Sequence, residues 1–369
     1  MNDKPIRVLI VNGKMICGGV EAFIMNIYRH IDRSKVQFDF LVHYKDRYFY
    51  DDEIERLGGR IYRLTFRNDN NYFKYKSDLK KFFTEHKEYQ IVWGHMDGLA
   101  SIYLKIAKKC GVKVTIAHSH ITSAEHSLKG LIKRLLRHGV RKYSDYKFAC
   151  STEAGIYLYG KRSKFELIPN AIDVDKFDYS ESTRKKIREE NGWGKDTLVV
   201  GHVGRFNEQK NHKYLIDIFY QLHKMRLNSV LCLCGDGELR EEIEKKVMAL
   251  GLSENVIFKG NIPNVNEYYQ AFDIFVMPSL YEGLPVSGIE AQASGLKCIF
   301  ADTITRETDI VHENVSFLPI TVDPNMWADD IIKLKEYNRF GYKPNIIAAG
   351  YSIDDEAKML EEFLQRRTL

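Results

Sequence analysis

Two glutamates eight residues apart, Glu282 and Glu290, bracket Gly283-Leu284-Pro285-Val286-Ser287-Gly288-Ile289. The stretch follows an apolar run, Ile274 to Met277, and Pro278, and the pattern becomes helical from Pro285. Glu282 then sits just outside a helix N-terminus and Glu290 about a turn and a half inside it. One carboxylate is placed to accept sugar hydroxyls and the other a ribose diol, with a diphosphate between them on exposed helix amides. Taken alone, the pair reads rather as a favourable charge at a helix start and a solvated helix residue. Gly283 and a nearby pair of cations favour the ligand reading.

Those cations are Arg205 and Lys210, five apart on the loop that leaves the apolar run Leu198 to Val203. An Arg fork and a Lys point charge on such a loop converge on a diphosphate; in isolation they are equally two solvated loop residues. Near the chain start, Ile6 to Val11 runs through Gly13 into Gly18-Gly19-Val20-Glu21 and a helix with apolar Phe23, Ile24, Ile27 and Ile31. Glycines ahead of a helix let backbone N–H groups approach a phosphate, although they equally permit a tight turn. The spacing is not the G-x-G-x-x-G of dinucleotide enzymes, which disfavours an NAD enzyme. In Val114-Thr115-Ile116-Ala117-His118-Ser119-His120 the alternation of a strand puts His118 and His120 on one face. His118 by itself is also consistent with a satisfied histidine at a strand end.

These residues need a scaffold of alternating strands and helices. Short β-branched or aromatic runs at 6–11, 36–43, 60–66, 90–93, 113–117, 146–151 and 165–168 alternate with amphipathic stretches. After Pro169-Asn170 the pattern pauses through a polar stretch, 173–196. A second series follows at 198–203, 230–234, 256–259, 274–277, 298–301 and 315–319. This is α/β architecture with two doubly wound, Rossmann-like domains, residues 1–170 and 171–353. A last helix, 354–369, follows the final strand and is expected to pack back on the first domain.

Composition narrows the function classes. With 44% hydrophobic and 28% charged residues over 369, the chain is globular rather than fibrous or disordered. No apolar run approaches the roughly 18 residues of a membrane span, and the first is cut short by Asn12-Gly13-Lys14, so neither a transmembrane segment nor a secretory signal is expected. Six scattered cysteines lack C-x-x-C spacing and fit a reducing cytoplasm. The net charge of +5 hides an asymmetry: residues 1–150 hold 28 Lys and Arg against 16 Asp and Glu, leaving 27 against 34 of the chain's 55 and 50 for the remainder. Part of the basic excess lies in 128–142, where Lys129, Lys133, Arg137 and Arg141 recur every four residues beside Leu131, Ile132, Leu135, Leu136 and Val140. An amphipathic helix with this cationic edge suits an anionic membrane surface, or equally packs on the sheet with its charges solvated. No nucleic-acid reader motif accompanies it.

Taken in order, Gly18-Gly19-x-Glu21, Ile168-Pro169-Asn170, Gly204-Arg205 with Lys210, Gly235-Asp236-Gly237, and E-x7-E at Glu282 and Glu290 followed by Ala291-Gln292-Ala293-Ser294-Gly295 resemble retaining glycosyltransferases of family 4, the group 1 enzymes. The resemblance spans nearly the whole chain. It implies the GT-B fold: two facing doubly wound domains, the acceptor held by the N-terminal one and the donor nucleotide-sugar chiefly by the C-terminal one. Arg205 and Lys210 match the family's diphosphate-binding cations, Glu290 the carboxylate on the ribose, and Glu282 the first Glu of the motif near the donor sugar. Gly283, Leu284, Pro285 and Val286 match the backbone lining sugar and phosphates. Gly18 and Gly19 match the N-terminal loop that meets the donor, and His118 matches an active-site histidine of the first domain.

The implied catalytic group is His118, Glu282, Arg205 and Lys210, with Glu282 not assigned as a covalent nucleophile. The implied reaction is retaining transfer from a nucleotide-sugar, with UDP-sugars the favoured donors, to a lipid-diphosphate-linked glycan. The motif block and Asp302-Thr303-Ile304-Thr305-Arg306-Glu307 look most like members that build bacterial capsular or exopolysaccharide. Such an enzyme works in the cytoplasm, with peripheral contact at the inner membrane face through 128–142. No cofactor and no essential metal are expected, and Asp173-Val174-Asp175 is read as linker capping rather than a metal-binding D-x-D. The alternatives are a UDP-sugar epimerase of the same fold and a nucleotide-sugar-binding subunit without turnover. Two departures from the family pattern stand out: Gly288 inside the motif helix, and Lys297 where proline is common.

Overall fold

The computed structural model describes residues 4–69, 71–120, 128–334 and 337–367, and of Arg67 and 128–135 only the backbone. The chain divides into two compact units, the first running to Ala171 and resuming at Ile353, the second comprising Ile172–Ser352.

In the first unit seven parallel strands take the order β3-β2-β1-β4-β5-β6-β7. They are β1 (Ile6–Val11), β2 (Val36–Val42), β3 (Ile61–Arg63), β4 (Ile91–Gly94), β5 (Val114–Ser119), β6 (Tyr146–Ala149) and β7 (Glu166–Leu167). Successive residues of β1 face opposite cores. Val8 and Ile10 pack with the helix Gly19–His30, whereas Leu9 and Val11 pack with the helices Tyr72–Glu85 and Ala100–Lys109. A parallel sheet covered on both faces needs apolar residues at both parities, which is why these strands read as continuous apolar runs. Ile353, Leu360 and Leu364 of the last helix, Ile353–Arg366, join the first of these cores, so the chain end belongs to the N-terminal unit. Phe66, read above as strand, begins the short helix Phe66–Asp69 instead.

The second unit has six parallel strands in the order β10-β9-β8-β11-β12-β13. They are β8 (Leu198–Val203), β9 (Ser229–Cys234), β10 (Val256–Gly260), β11 (Ile274–Met277), β12 (Lys297–Ala301) and β13 (Val315–Leu318). In both units the strand order reverses beside the first strand. Loops leaving the carboxyl ends on either side of that reversal diverge and leave a crevice, the usual ligand position of open α/β sheets.

The polar stretch 173–196 is not a linker. It forms the helices Val174–Phe177 and Glu181–Glu190, and the second carries Arg184 and Arg188 onto Asp273, immediately ahead of β11. Asp273 also accepts the Val199 amide at 2.7 Å. Arg188, only 7% exposed, donates further to the carbonyls of Ala271, Gly194 and Thr197. Removing Asp273 strands two partly buried guanidinium groups. Asp273→Ala is expected to destabilise this unit by about 3–5 kcal/mol, lowering its thermal midpoint by roughly 6–20 °C in a calorimetric scan.

Asp173 does cap the helix Val174–Phe177, accepting from the Lys176 amide, while Asp175 pairs with Lys343. Among the described residues no helix is long and apolar enough to cross a membrane.

Candidate active site

In the second unit the sequence-predicted residues lie on loops leaving β8, β9 and β11. The 207–211 loop is zipped onto 278–282. The Leu280 amide donates to the Gln209 carbonyl at 2.8 Å, and Asn211 Nδ2 donates to the Pro278 carbonyl at 3.1 Å. Asn211 sits in the left-handed region, φ 55°, which asparagine tolerates better than most residues. The zipper brings Lys210 Nζ to 2.7 Å from Glu282 Oε1, and Gln209 Nε2 donates to Glu282 Oε2 at 3.1 Å. The Lys210 contact is an ion pair at an angle outside hydrogen-bond geometry. Both side chains are enclosed, at 14% and 8% exposure.

Arg205 does not share this arrangement. It is 51% exposed and pairs with Glu238 at 2.9 Å, so the two cations have different carboxylate partners. Close behind Lys210 lie two buried histidines that the sequence reading missed. His202 Nδ1 meets the Val276 carbonyl at 2.8 Å, and His212 stacks on Phe206 at 4.0 Å. Burial pushes them down to about 4 and about 2, with Lys210 adding to the effect, so both rings are neutral at physiological pH. The loop after β9 touches the loop after β8: Gly235 has φ +136°, and a Cβ there would fall 2.1 Å from the Gly204 carbonyl oxygen. Only glycine fits that crossing.

The helix that follows Glu282 runs Val286–Ala293, with Pro285 at its N-cap and no side-chain cap. Its first amides keep their donors for an anionic ligand, where the helix dipole also favours negative charge. Leu284 is buried in the core, and Val286 packs against it, which fixes the Gly283–Val286 backbone. Glu290 is not a solvated helix residue. Its Oε2 accepts the Tyr269 hydroxyl at 2.8 Å, and burial pushes its carboxyl up to about 7 against the lowering effects of Tyr269, Lys176 and Lys210. Tyr269 comes from the helix Val265–Ala271 and has no spacing signal linking it to the motif.

The two departures have packing reasons. A Cβ at Gly288 would lie 3.1 Å from both Phe300 Cζ and Thr308 Cγ2, so glycine lets this helix seat closely on β12. Lys297 donates its amide to the Tyr337 hydroxyl at 3.2 Å, a bond proline would forfeit. Gln292, also missed, is fully buried. It donates to the Gly288 and Thr308 carbonyls and accepts from the Ile310 and Val311 amides, which ties the loop after β12 to the motif helix.

In the first unit Gly18 is the extended N-cap of the helix Gly19–His30. Glu21 folds back beside it and accepts Asn12 Nδ2 at 2.9 Å. Nothing would meet a side chain at Gly19, so the approach to this helix start is open. His118, at the end of β5, is 1% exposed, edge-on to Phe23 at 4.9 Å and parallel to Trp93 at 6.0 Å. His120 stacks on it at 4.2 Å, on the same face, and is less enclosed. In the helix Leu128–Tyr143 the side chains of Lys129 and Lys133 lie outside the described residues. Arg137 lies over the Tyr157 ring at 4.0 Å and donates to its carbonyl, so that cation is held by the fold, whereas Arg141 and Lys142 are exposed.

Comparison with known proteins agrees with this geometry in both units. The family described as glycosyltransferase family 4 matches residues 17–176, and that of group 1 glycosyl transferases matches residues 183–351. The chain is 36% identical over 340 residues to the glycosyltransferase EpsF of Bacillus subtilis, covering 90% of this chain and 88% of EpsF. It is 24% identical over 342 residues to the capsular polysaccharide biosynthesis glycosyltransferase CapH of Staphylococcus aureus, covering 89% and 90% of the two chains. Among solved structures, Anabaena HepE in complex with UDP-glucose superposes with a TM-score of 0.78 at 18% identity, covering 98% of this chain and 99% of HepE. The two sheets therefore form a GT-B fold.

Proposed function

Because this chain belongs to the group 1, family 4 glycosyltransferases, we propose that it transfers a sugar from a UDP-sugar, with retention of anomeric configuration, to a lipid-linked glycan in the synthesis of a bacterial surface polysaccharide. The observation that carries this reading is the arrangement about the uncapped helix Val286–Ala293: Lys210 held on Glu282 before it, and Glu290 desolvated within it. A diphosphate placed on the first amides meets Lys210 as leaving-group charge develops, and Arg205 exchanges Glu238 for a phosphate. The ribose diol donates to Glu290, and Glu282 accepts donor-sugar hydroxyls. Gly283 to Val286 line the sugar and phosphates with backbone.

Charge on the departing diphosphate is met by these cations and amides, with no divalent ion bridging it, and the diphosphate itself takes the acceptor proton. The acceptor hydroxyl attacks from the face the diphosphate leaves. Gly18 and Gly19 offer open backbone to the donor. His118 is enclosed, so we assign it to positioning the carboxyl end of β5 rather than to touching the reacting atoms. HepE holding UDP-glucose and CapH acting in capsule synthesis support the donor class and the pathway class. The basic excess of residues 1–150 and the exposed Arg141 and Lys142 support peripheral contact with an anionic membrane on its cytoplasmic side.

The test is incubation of purified protein with individual UDP-sugars and GDP-mannose, plus a lipid-diphosphate acceptor, in EDTA, with NMR of the product anomer. UDP release and an α-linked product from an α-configured donor are expected. An inverted product, or transfer that appears only after Mg²⁺ or Mn²⁺ is restored, would overturn the mechanism.

A further inference from the structure

The carboxyl ends of β4 and β5 in the first unit bring three histidines together. His95 follows β4, with its amide on the Val11 carbonyl at 2.9 Å, while His118 and His120 lie on and just past the end of β5. One ring nitrogen from each lies within 4.8 Å of the other two. His95 Nδ1 and His120 Nε2 are 2.9 Å apart, and the other centroid separations are 4.2 Å for His118 to His120 and 5.5 Å for His95 to His118. Phe23 covers the cluster from the helix Gly19–His30, 4.9 Å from His118 and 5.2 Å from His120.

The hydrogen-bond account of this cluster does not close. A neutral imidazole carries one donor and one acceptor, so three rings offer three of each. Among the described residues one pairing is made, His95 with His120. Among the described residues His95 Nε2, His120 Nδ1 and both nitrogens of His118 are buried without a hydrogen bond. Buried polar atoms left unpaired are costly, and three imidazoles this close together are short of partners. Neutral imidazoles with free lone pairs are the form that ligates a metal.

We infer that His95, His118 and His120 bind one first-row transition-metal dication of the Zn²⁺ class in the N-terminal unit. Three imidazoles and no carboxylate cage select such ions over Mg²⁺ or Ca²⁺. Zinc-to-nitrogen bonds of about 2.0–2.1 Å place tetrahedral ligand nitrogens roughly 3.3 Å apart, so the His95–His120 pair opens slightly as His118 closes in. Three ligands leave a fourth position for water. This site uses residues of the first unit alone, and it gives a metal to a chain whose sequence reads as metal-free.

The test uses the full-length chain without a histidine tag, stripped with EDTA, exchanged into chelator-free buffer and titrated with CoCl2. One equivalent of Co²⁺ is expected to give the visible d–d bands of a tetrahedral nitrogen site. One equivalent of Zn²⁺ should abolish them, and Mg²⁺ should leave them unchanged. His95→Asn and His120→Asn are each expected to weaken Zn²⁺ binding by about 100-fold or more. Circular dichroism confirms each variant's fold, and His120→Gln, at the least enclosed ligand, replaces any variant that does not fold. A featureless Co²⁺ spectrum in the wild-type chain, or folded variants that bind Zn²⁺ like wild type, would overturn the inference.

Discussion

Lys210→Met should lower kcat/KM for sugar transfer by about 10²–10³-fold, equivalent to about 2.7–4 kcal/mol of transition-state stabilisation. Methionine retains the unbranched stem that lies against Gly204 while removing the ammonium, so packing and charge are separated. In the free protein that ammonium faces Glu282 at 2.7 Å in a site largely closed to water, where a point charge acts strongly on a neighbouring anion. Glu282 keeps the Gln209 amide at 3.1 Å after the substitution, so the loop retains one of its ties. Because the leaving diphosphate gains charge as the glycosidic bond breaks, the loss should fall on kcat more than on donor KM. Lys210→Arg should recover only part of it, since a planar fork does not reproduce a compact ammonium held against one carboxylate. Steady-state kinetics with saturating acceptor decide the point, and unaltered kcat/KM in Lys210→Met would remove this lysine from the mechanism.

The scaffold was legible because its physics is local. Strands β1, β8 and β11 carry apolar residues at both parities and are bounded by Gly, Asn or Pro, and their observed limits are those of the apolar runs. The stretch 173–196 was misread for the opposite reason. Its helix Glu181–Glu190 has few apolar residues and is secured by Arg184 and Arg188 reaching Asp273, a partner more than eighty residues away that no periodicity announces. The same divide runs through the candidate site. Glu282 and Glu290 were visible as a spacing, and Lys210 as a cation on a strand-end loop. Which carboxylate Lys210 faces, that Arg205 turns to Glu238, and that Tyr269 meets Glu290 follow from how separate loops pack. Alternation placed His118 and His120 on one face, but His95 follows a different strand, so the cluster had no contiguous motif to reveal it.

The Tyr269 contact and the desolvation of Glu290 lead to a pH dependence that spacing alone does not suggest. With its carboxyl pushed up to about 7, Glu290 is roughly one-tenth ionised at about pH 6 and roughly nine-tenths ionised at about pH 8. A ribose diol brings two hydroxyl donors, and only the ionised carboxylate accepts both. Ligand binding therefore selects the ionised form and expels a proton from the protonated one. Affinity for UDP-glucose, whose diphosphate diester keeps its charge across this range, should accordingly rise about five- to tenfold from about pH 6 to about pH 8 and then level off.

His202 and His212 stay neutral throughout, and burial keeps the Tyr269 hydroxyl, which also faces Glu290, protonated. Glu290→Gln keeps one acceptor oxygen but loses the titration, so its affinity should be weaker than wild type at the upper pH by about 1.5–3 kcal/mol and flat with pH. Calorimetry in buffers of different ionisation enthalpy also reads the released proton directly: most of one proton at about pH 6 in wild type, and none in the variant. A wild-type affinity that does not change between these pH values, with no proton released, would mean that Glu290 does not hold the diol.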